Sequence, residues 1–254
     1  MTVSYLKCPK CGHERAEDDI TPAASCPACG LIFEKYLRAR FAAPSAPAER
    51  RCDPGHGGSP TLVDRVQAVL LHVPEKVPPL HLYLRAALLA GLIFYGIRLA
   101  AMDVASAEIY TSLMHAPMVP IHEFGHILFR PFGEFMMNLG GALFQAGLPL
   151  VFAGIFLARN RDPFAAAVML WWSAVAIIDT APYVYDAQQP QLVLLTGRTG
   201  DTGSHDFVDV LGDLGLLQRA RAVGYVVHAF GVLTLLASFA WAAAMVWMQF
   251  RRRG

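Results

Sequence analysis

Long apolar runs dominate the chain from residue 80 onward, whereas polar, charged and proline residues are concentrated before it. Five runs are long enough to enter a bilayer, at residues 80–102, 109–132, 139–158, 164–183 and 222–250. About 20 mostly apolar residues suffice for a helix that spans the hydrocarbon core, where backbone polar groups must be bonded within the protein. The pattern predicts an all-α polytopic membrane protein with about four to six transmembrane or re-entrant helices.

Prolines interrupt the second run, at Pro117, Pro120 and Pro131. Pro120 suits the first turn of a helix, where its missing amide proton costs nothing. We expect a helix of about 11 residues over 120–130, or a longer kinked one. Five full crossings would separate the N-terminal head from the arginine-rich tail at 251–253, although both favour the cytoplasm. The second run is therefore the candidate for a re-entrant segment.

The pattern changes three times before the first apolar run. Residues 61–79 begin with apolar positions at helical spacing, which predicts an amphipathic helix on the membrane surface or packed on the membrane body. Residues 39–60 are rich in Ala, Pro, Gly and Ser, which predicts a flexible linker. Residues 1–38 are expected to form a small zinc-ribbon head, and residues 80–254 the membrane-embedded domain.

Four cysteines stand in two C-x-x-C pairs, each followed by glycine: Cys8 with Cys11, and Cys26 with Cys29. This spacing lets both thiolates of a tight turn face one ion, and the glycine permits the positive φ that such turns need. The repeated pair favours a zinc ribbon, in which four thiolates hold one structural zinc; the alternative is a redox or disulfide pair. Cys52 is given no role.

Composition narrows the classes of function. The chain is 55% hydrophobic and 16% charged, and its formal net charge of +1 makes a nucleic-acid partner unexpected. Residues 1–10 lack the apolar core of a secretory signal peptide, and paired cysteines fit a reducing compartment. We expect a multi-pass protein of a bacterial-type inner or plasma membrane, with the ribbon in the cytoplasm. The mixed charges of the ribbon favour a regulatory protein as its partner.

The strongest chemical signal is an H-E-x-x-H motif at His122, Glu123 and His126, inside the second apolar run. On a helix, positions i and i+4 share one face, so both imidazoles can bind one metal ion. The glutamate beside the first histidine can act as general base towards a metal-activated water. The alternative is a polar cluster that holds helices together. Buried charges in an apolar segment favour the metal site.

A catalytic zinc site needs a third protein ligand besides these two histidines. The downstream candidates are Asp179, Asp186, His205, Asp206 and His228. Asp179 and Asp186 stand at the end of the fourth apolar run. His205 could be a ligand with Asp206 as its supporting carboxylate, or the pair could simply begin a helix.

Around residues 110–190 the chain resembles the site-2 protease family of intramembrane zinc metalloproteases. The resemblance rests on the H-E-x-x-H motif, on the glycine-rich segment Gly140-Gly141 with Gln145, and on Asp179-x-x-Pro182 followed by Asp186. It departs from the family pattern where Asp179 replaces Asn, where the gap to Asp186 is one residue shorter, and where no glycine follows Asp186. The resemblance implies that Asp186 is the third zinc ligand, ahead of Asp179 and His205. It also implies that Gln145 binds substrate or the oxyanion.

These motifs lead to a prediction of function. We expect a zinc metalloendopeptidase with one catalytic and one structural Zn²⁺, which hydrolyses peptide bonds of membrane-anchored protein segments. The alternatives are a catalytically silent zinc-binding scaffold or regulator that binds partners through its ribbon, and a metal sensor or transporter. Glu123 favours the enzyme, because a purely structural site needs no general base.

Overall fold

The computed structural model describes residues 6–16, 22, 24–41, 61–73, 77–193, 197–200 and 204–252. The chain divides into two compact units, Met1–Ser59 and Pro60–Gly254. The predicted linker at 42–60, with Cys52, lies outside the described residues.

The first unit contains two turns with the same backbone hydrogen bonds. Gly12 N–H donates to Cys8 O and Gly30 N–H donates to Cys26 O, both at 2.9 Å. Both glycines have positive φ, 76° and 68°, as the spacing of the motif predicted. Helix α1 (Phe33–Phe41) follows, and buried Phe33 packs against Cys8 and Cys26.

The regular secondary-structure elements described in the second unit are all helices. It contains α2 (Leu62–Leu70), α3 (Pro79–Ala100), α4 (His115–Phe129), α5 (Glu134–Ile155), α6 (Pro163–Asp186), α7 (Asp206–Asp213) and α8 (Ala220–Arg251). Short 3₁₀ turns lie at Glu108–Thr111, Arg130–Phe132 and Leu217–Arg219, and a π-helical turn at Phe156–Asn160 extends α5. The described residues of both units contain isolated β-bridges but no β-strand. The predicted all-α class is therefore confirmed.

Four of the described helices are long and apolar enough to cross a membrane, which suggests a membrane protein. They are α3, α5 with its π-helical extension, α6, and α8 with the turn before it. The predicted second apolar run instead forms the 3₁₀ turn Glu108–Thr111 and α4, a helix of 15 residues. At about 1.5 Å per residue, α4 is too short to span roughly 30 Å of hydrocarbon.

Helix α4 is longer than the 11-residue helix predicted from Pro120, because it begins at His115 and contains Pro120. The longer of the two alternatives is therefore the one observed. Pro117 lies in the first turn, where amides have no intrahelical partner, whereas Pro120 is the sixth residue of α4 and leaves the carbonyl of Ala116 without an amide donor at i+4.

Helix α6 is the centre of the bundle. In an apolar stretch of 18 residues, α6 is 61% buried, whereas the corresponding stretches of the other three candidate spans are 17–33% buried. Small residues allow close packing on α8: a Cβ added at Gly231 would lie 2.6 Å from Ile178 Cγ1, and one at Gly224 would lie 2.8 Å from Tyr185 Cβ. Van der Waals packing of small residues is the main attraction between helices in a membrane.

The bundle has two distinct ends. At the first, called the arginine-rich end, Arg85 near the start of α3 pairs with Asp162 before α6 at 2.6 Å. There Tyr83 also packs on Phe250, near the end of α8, with ring centroids 6.1 Å apart. At the opposite end, called the site end, α7 packs in a cluster with the end of α6 and the starts of α5 and α8. The four candidate spans therefore alternate in direction.

Helix α2 docks on the arginine-rich end by its C-terminal side. Trp241 Nε1–H donates to Leu70 O at 2.9 Å, and Arg252 donates to Val73 O at 2.6 Å. Its N-terminus is closed by a capping box between Thr61 and Asp64. None of the nine helical residues is buried, so the apolar face of α2 does not pack on the described part of the protein.

Candidate metal site

Glycines bring α4 and α5 into direct backbone contact at the motif. A Cβ added at Gly125 would collide with the carbonyl oxygen of Gly140 and would lie 2.8 Å from Gly141 Cα. A Cβ at Gly140 would lie 2.5 Å from Phe129 Cβ. Only glycine fits at such a contact, so the Gly140-Gly141 segment sets the distance between the helix of the motif and its neighbour.

Both histidines of the motif use Nδ1 for a hydrogen bond. His126 Nδ1–H donates to the Met137 carbonyl at 2.8 Å, and His122 Nδ1–H donates to Gln145 Oε1 at 3.0 Å. A carbonyl oxygen can only accept, so the proton of each neutral imidazole lies on Nδ1. The Nε2 lone pairs are therefore free for a metal ion, as in most protein sites where the second ring nitrogen is tied to an acceptor.

Asp206 completes the group from the first residue of α7. Its Oδ2 lies 3.4 Å from His122 Nε2 and 3.3 Å from His126 Nε2. The amide of Asp206 donates to the Tyr183 hydroxyl oxygen at 3.3 Å, which ties the start of α7 to α6. Burial acts to raise the pKa of Asp206, but the imidazoles of His122 and His126, which donate from Nε2 to its carboxylate when they are protonated and no metal is bound, outweigh burial and hold this pKa below its usual range.

The distances from the Asp206 oxygen to the two imidazole nitrogens fit a tetrahedral ion. Bonds of about 2.0–2.1 Å at tetrahedral angles separate two ligand atoms by roughly 3.3–3.4 Å. The observed oxygen–nitrogen distances are 3.3 and 3.4 Å. His122, His126 and Asp206 therefore form one group that could hold a metal ion.

Gly141 forms the wall of this group. A Cβ at this position would lie 2.5 Å from His122 Nε2 and 2.7 Å from His126 Nε2. Any side chain here would occupy the space towards which both lone pairs point.

The group opens into a cavity of about 300 Å³ at the site end of the bundle. Glu123 lines the cavity and is exposed, so its carboxylate is accessible to water and to a bound molecule. Other walls come from aromatic, apolar and hydroxyl side chains, which include Tyr110, Val119, Thr180 and Tyr183. A base beside two imidazoles and a carboxylate in such a cavity can carry out metal-assisted hydrolysis.

Asp186, the first choice from the family resemblance, lies outside this group. Its carboxylate accepts hydrogen bonds from the backbone amides of Gln191 at 2.9 Å and Leu192 at 3.2 Å. It also lies 3.4 Å from His205 Nε2. It therefore anchors the chain that follows α6. Buried His205 lies beside it, one residue before the aspartate that reaches the imidazoles.

Asp179, the second choice for the third ligand, also lies outside the metal group, and both it and Gln145 line the cavity. Asp179 accepts from His115 Nδ1–H at 3.0 Å and from Gln145 Nε2–H at 3.1 Å. Gln145 is 4% exposed, and its Oε1 accepts the hydrogen bond from His122 Nδ1–H. Asp206 was named among the sequence candidates, but no local signal separates its carboxylate from those of Asp179 and Asp186. The last candidate, His228, lies on α8 outside the group.

The four cysteines of the first unit form a second group that could hold a metal ion. Their sulfur atoms lie within 4.8 Å of one another, and the pairs Cys8–Cys29 and Cys11–Cys26 are 3.8 and 3.7 Å apart. Thiolates about 2.3 Å from a tetrahedral zinc lie roughly 3.8 Å from each other. The knuckle spacing thus brings together all four residues that the sequence assigned to the structural site.

Comparison of the chain with protein-family models, with curated proteins and with solved structures finds no match.

Proposed function

We propose that this protein is a membrane-embedded zinc endopeptidase that hydrolyses peptide bonds of membrane-anchored protein segments. The observation that carries the proposal is the convergence of His122 Nε2, His126 Nε2 and Asp206 Oδ2 beside the exposed Glu123. Two imidazoles and one carboxylate are a ligand set of known hydrolytic zinc sites. The second metal group, with four thiolates, is then a structural zinc in the first unit.

Each side chain has a separate task in the proposed reaction. Zinc, when bound, supplies a Lewis acid that lowers the pKa of water to about 7 and polarises a carbonyl group. Glu123 accepts a proton from the attacking water and returns it to the leaving amine. The bonds from His122 to Gln145 and from His126 to Met137 keep both Nε2 atoms directed at one point. The Tyr183 hydroxyl accepts a hydrogen bond from the backbone amide of Asp206 and holds the start of α7 in place.

The setting of the site supports a substrate within or beside the bilayer. The site lies among helices that are apolar enough to cross a membrane, and polar side chains line its cavity. Water is therefore accommodated inside the membrane body, as a hydrolase there requires. A helical substrate hides its amides in backbone hydrogen bonds, so a segment must unwind locally before cleavage. This activity is the one implied by the resemblance to site-2 proteases, with Asp206 in place of Asp186 as the third ligand.

The proposed topology places the arginine-rich end in the cytoplasm, in line with the positive-inside rule. This end has six described arginines, Arg65, Arg85, Arg159, Arg161, Arg251 and Arg252, against five at the site end, Arg98, Arg130, Arg198, Arg219 and Arg221. We propose a cytoplasmic location for the ribbon as well, because thiols stay reduced in that compartment. In this position it can bind a regulatory protein.

The test uses the full chain purified in bilayer nanodiscs and a reporter with a single membrane span. The wild type should contain two zinc ions per chain and cleave the reporter. Glu123→Gln should keep both ions and lose at least about 100-fold in rate, because it removes only the base. Cleavage by this variant at the wild-type rate would refute the mechanism. Two bound ions without cleavage of any membrane-anchored substrate would instead favour a silent scaffold.

A further inference from the structure

A continuous line of hydrogen bonds runs from the cavity wall to the back of the metal group. His115 Nδ1–H donates to Asp179 Oδ1 at 3.0 Å, and Gln145 Nε2–H donates to Asp179 Oδ2 at 3.1 Å. His122 Nδ1–H then donates to Gln145 Oε1 at 3.0 Å. Tyr110 stacks on His115 with ring centroids 4.3 Å apart and fixes the far end of the line.

The direction of these bonds is determined by Asp179. A carboxylate can only accept, so it draws the amide nitrogen of Gln145 towards itself. The amide oxygen then has to face His122, and an oxygen can bond only to a protonated Nδ1. If Gln145 turned its nitrogen to His122, the proton of the neutral imidazole would move to Nε2 and remove the lone pair that faces Asp206.

Both partners line the cavity, but little of either side chain is open to solvent. Asp179 is 5% exposed and Gln145 is 4% exposed. Two other acceptors lie near Gln145 Nε2, and both are more distant than Asp179. The carbonyl of Ala176 lies at 3.4 Å and already accepts a hydrogen bond from the Thr180 hydroxyl at 2.9 Å, and the Met118 sulfur, a weak acceptor, lies at 3.6 Å. Asp179 is therefore the principal acceptor that holds the amide in this orientation.

We infer that Asp179 is a positioning residue of the metal site, which acts through Gln145 to keep His122 Nε2 available for zinc. This inference rests on the proposed zinc site, but it concerns metal affinity and does not depend on which bond the protein cleaves. It gives Asp179 a role other than ligand, and Gln145 a role other than oxyanion binding.

The experiment measures zinc affinity of the membrane site in the full chain in nanodiscs. The variants are Asp179→Ala, Gln145→Met and the two combined. Each single variant should bind zinc roughly 10–100-fold more weakly, as is typical when the partner of a ligating histidine is lost. Because Asp179 acts through Gln145, the combined variant should be no weaker than Gln145→Met alone. Asp179→Asn, which keeps an acceptor oxygen, should retain more affinity than Asp179→Ala.

Two controls separate this effect from a loss of fold. The four-thiolate zinc of the first unit should remain bound in every variant. Asp162→Ala should leave affinity unchanged, because Asp162 accepts from Arg85 at 2.6 Å at the arginine-rich end, opposite the metal group. Wild-type affinity in Asp179→Ala, or full addition of its loss to that of Gln145→Met, would overturn the inference. A wild type with only one zinc would instead refute the proposed function.

Discussion

Asp206 Oδ2 lies 3.4 Å from His122 Nε2, although 84 residues separate the two along the chain. The aspartate reaches the histidine because α7 packs on α5 and on the end of α6, with Phe207, Val210 and Leu211 buried. The carboxylate of the group therefore comes from a short helix outside the four candidate spans, rather than from the end of α6. This arrangement distinguishes Asp206 from Asp186 in a direct experiment.

Asp206→Asn should remove zinc from the membrane site, whereas Asp186→Asn should retain it. The first variant replaces an anionic oxygen within 3.4 Å of both imidazoles, and the second only alters the anchor of residues 191 and 192. Zinc content of the purified variants should be about one and two ions per chain, respectively. The reverse result would restore Asp186 as the ligand that the family resemblance implies.

Gly141→Ala should abolish or strongly weaken zinc binding, because the new Cβ would lie 2.5 Å from His122 Nε2. We expect at least about a 10-fold loss of zinc affinity and a larger loss of cleavage, since displaced ligands cost rate steeply. Gly147→Ala is the matched control on the same helix, because a Cβ there meets no atom within 4 Å. Equal zinc affinities of the two alanine variants would contradict the position of Gly141.

Cys11→Ser should release the zinc of the first unit and leave the membrane site loaded. A small unit with few buried apolar residues depends on such an ion for its fold, so protease cleavage within residues 1–59 should become rapid. Cys52→Ser serves as the control, because Cys52 stands outside the two C-x-x-C pairs. Loss of both zinc ions in Cys11→Ser would show that the two sites are not independent.

The apolar face of α2 should contact lipid. Leu62, Val63, Val66 and Val69 share one face of the helix and are exposed, whereas Asp64 points the other way. A spin label at position 66 should be relaxed by oxygen dissolved in the bilayer, and one at position 64 by a water-soluble nickel complex. Equal access of the nickel complex to both positions would place α2 in water.

Local patterns carried much of the fold. The runs at 80–102, 164–183 and 222–250 correspond to α3, α6 and α8 with boundaries shifted by a few residues. The run at 109–132 did not reveal that its helix stops at 15 residues, because apolar content alone does not distinguish a span from a shorter helix packed against one neighbour. Whether α2 packs on the body or faces outward also depended on its neighbours.

The sequence by itself determined the two metal-type spacings and the helical, membrane-like character of the chain, because each depends on residues within a few positions of one another. Only the tertiary structure decided which carboxylate meets His122 and His126, and that Gln145 hydrogen-bonds His122 Nδ1. Those relationships arise from packing between α4, α5, α6 and α7, and the close approach at Gly125 and Gly140 sets their distances. Such contacts join segments far apart in the chain, so no local pattern contains them.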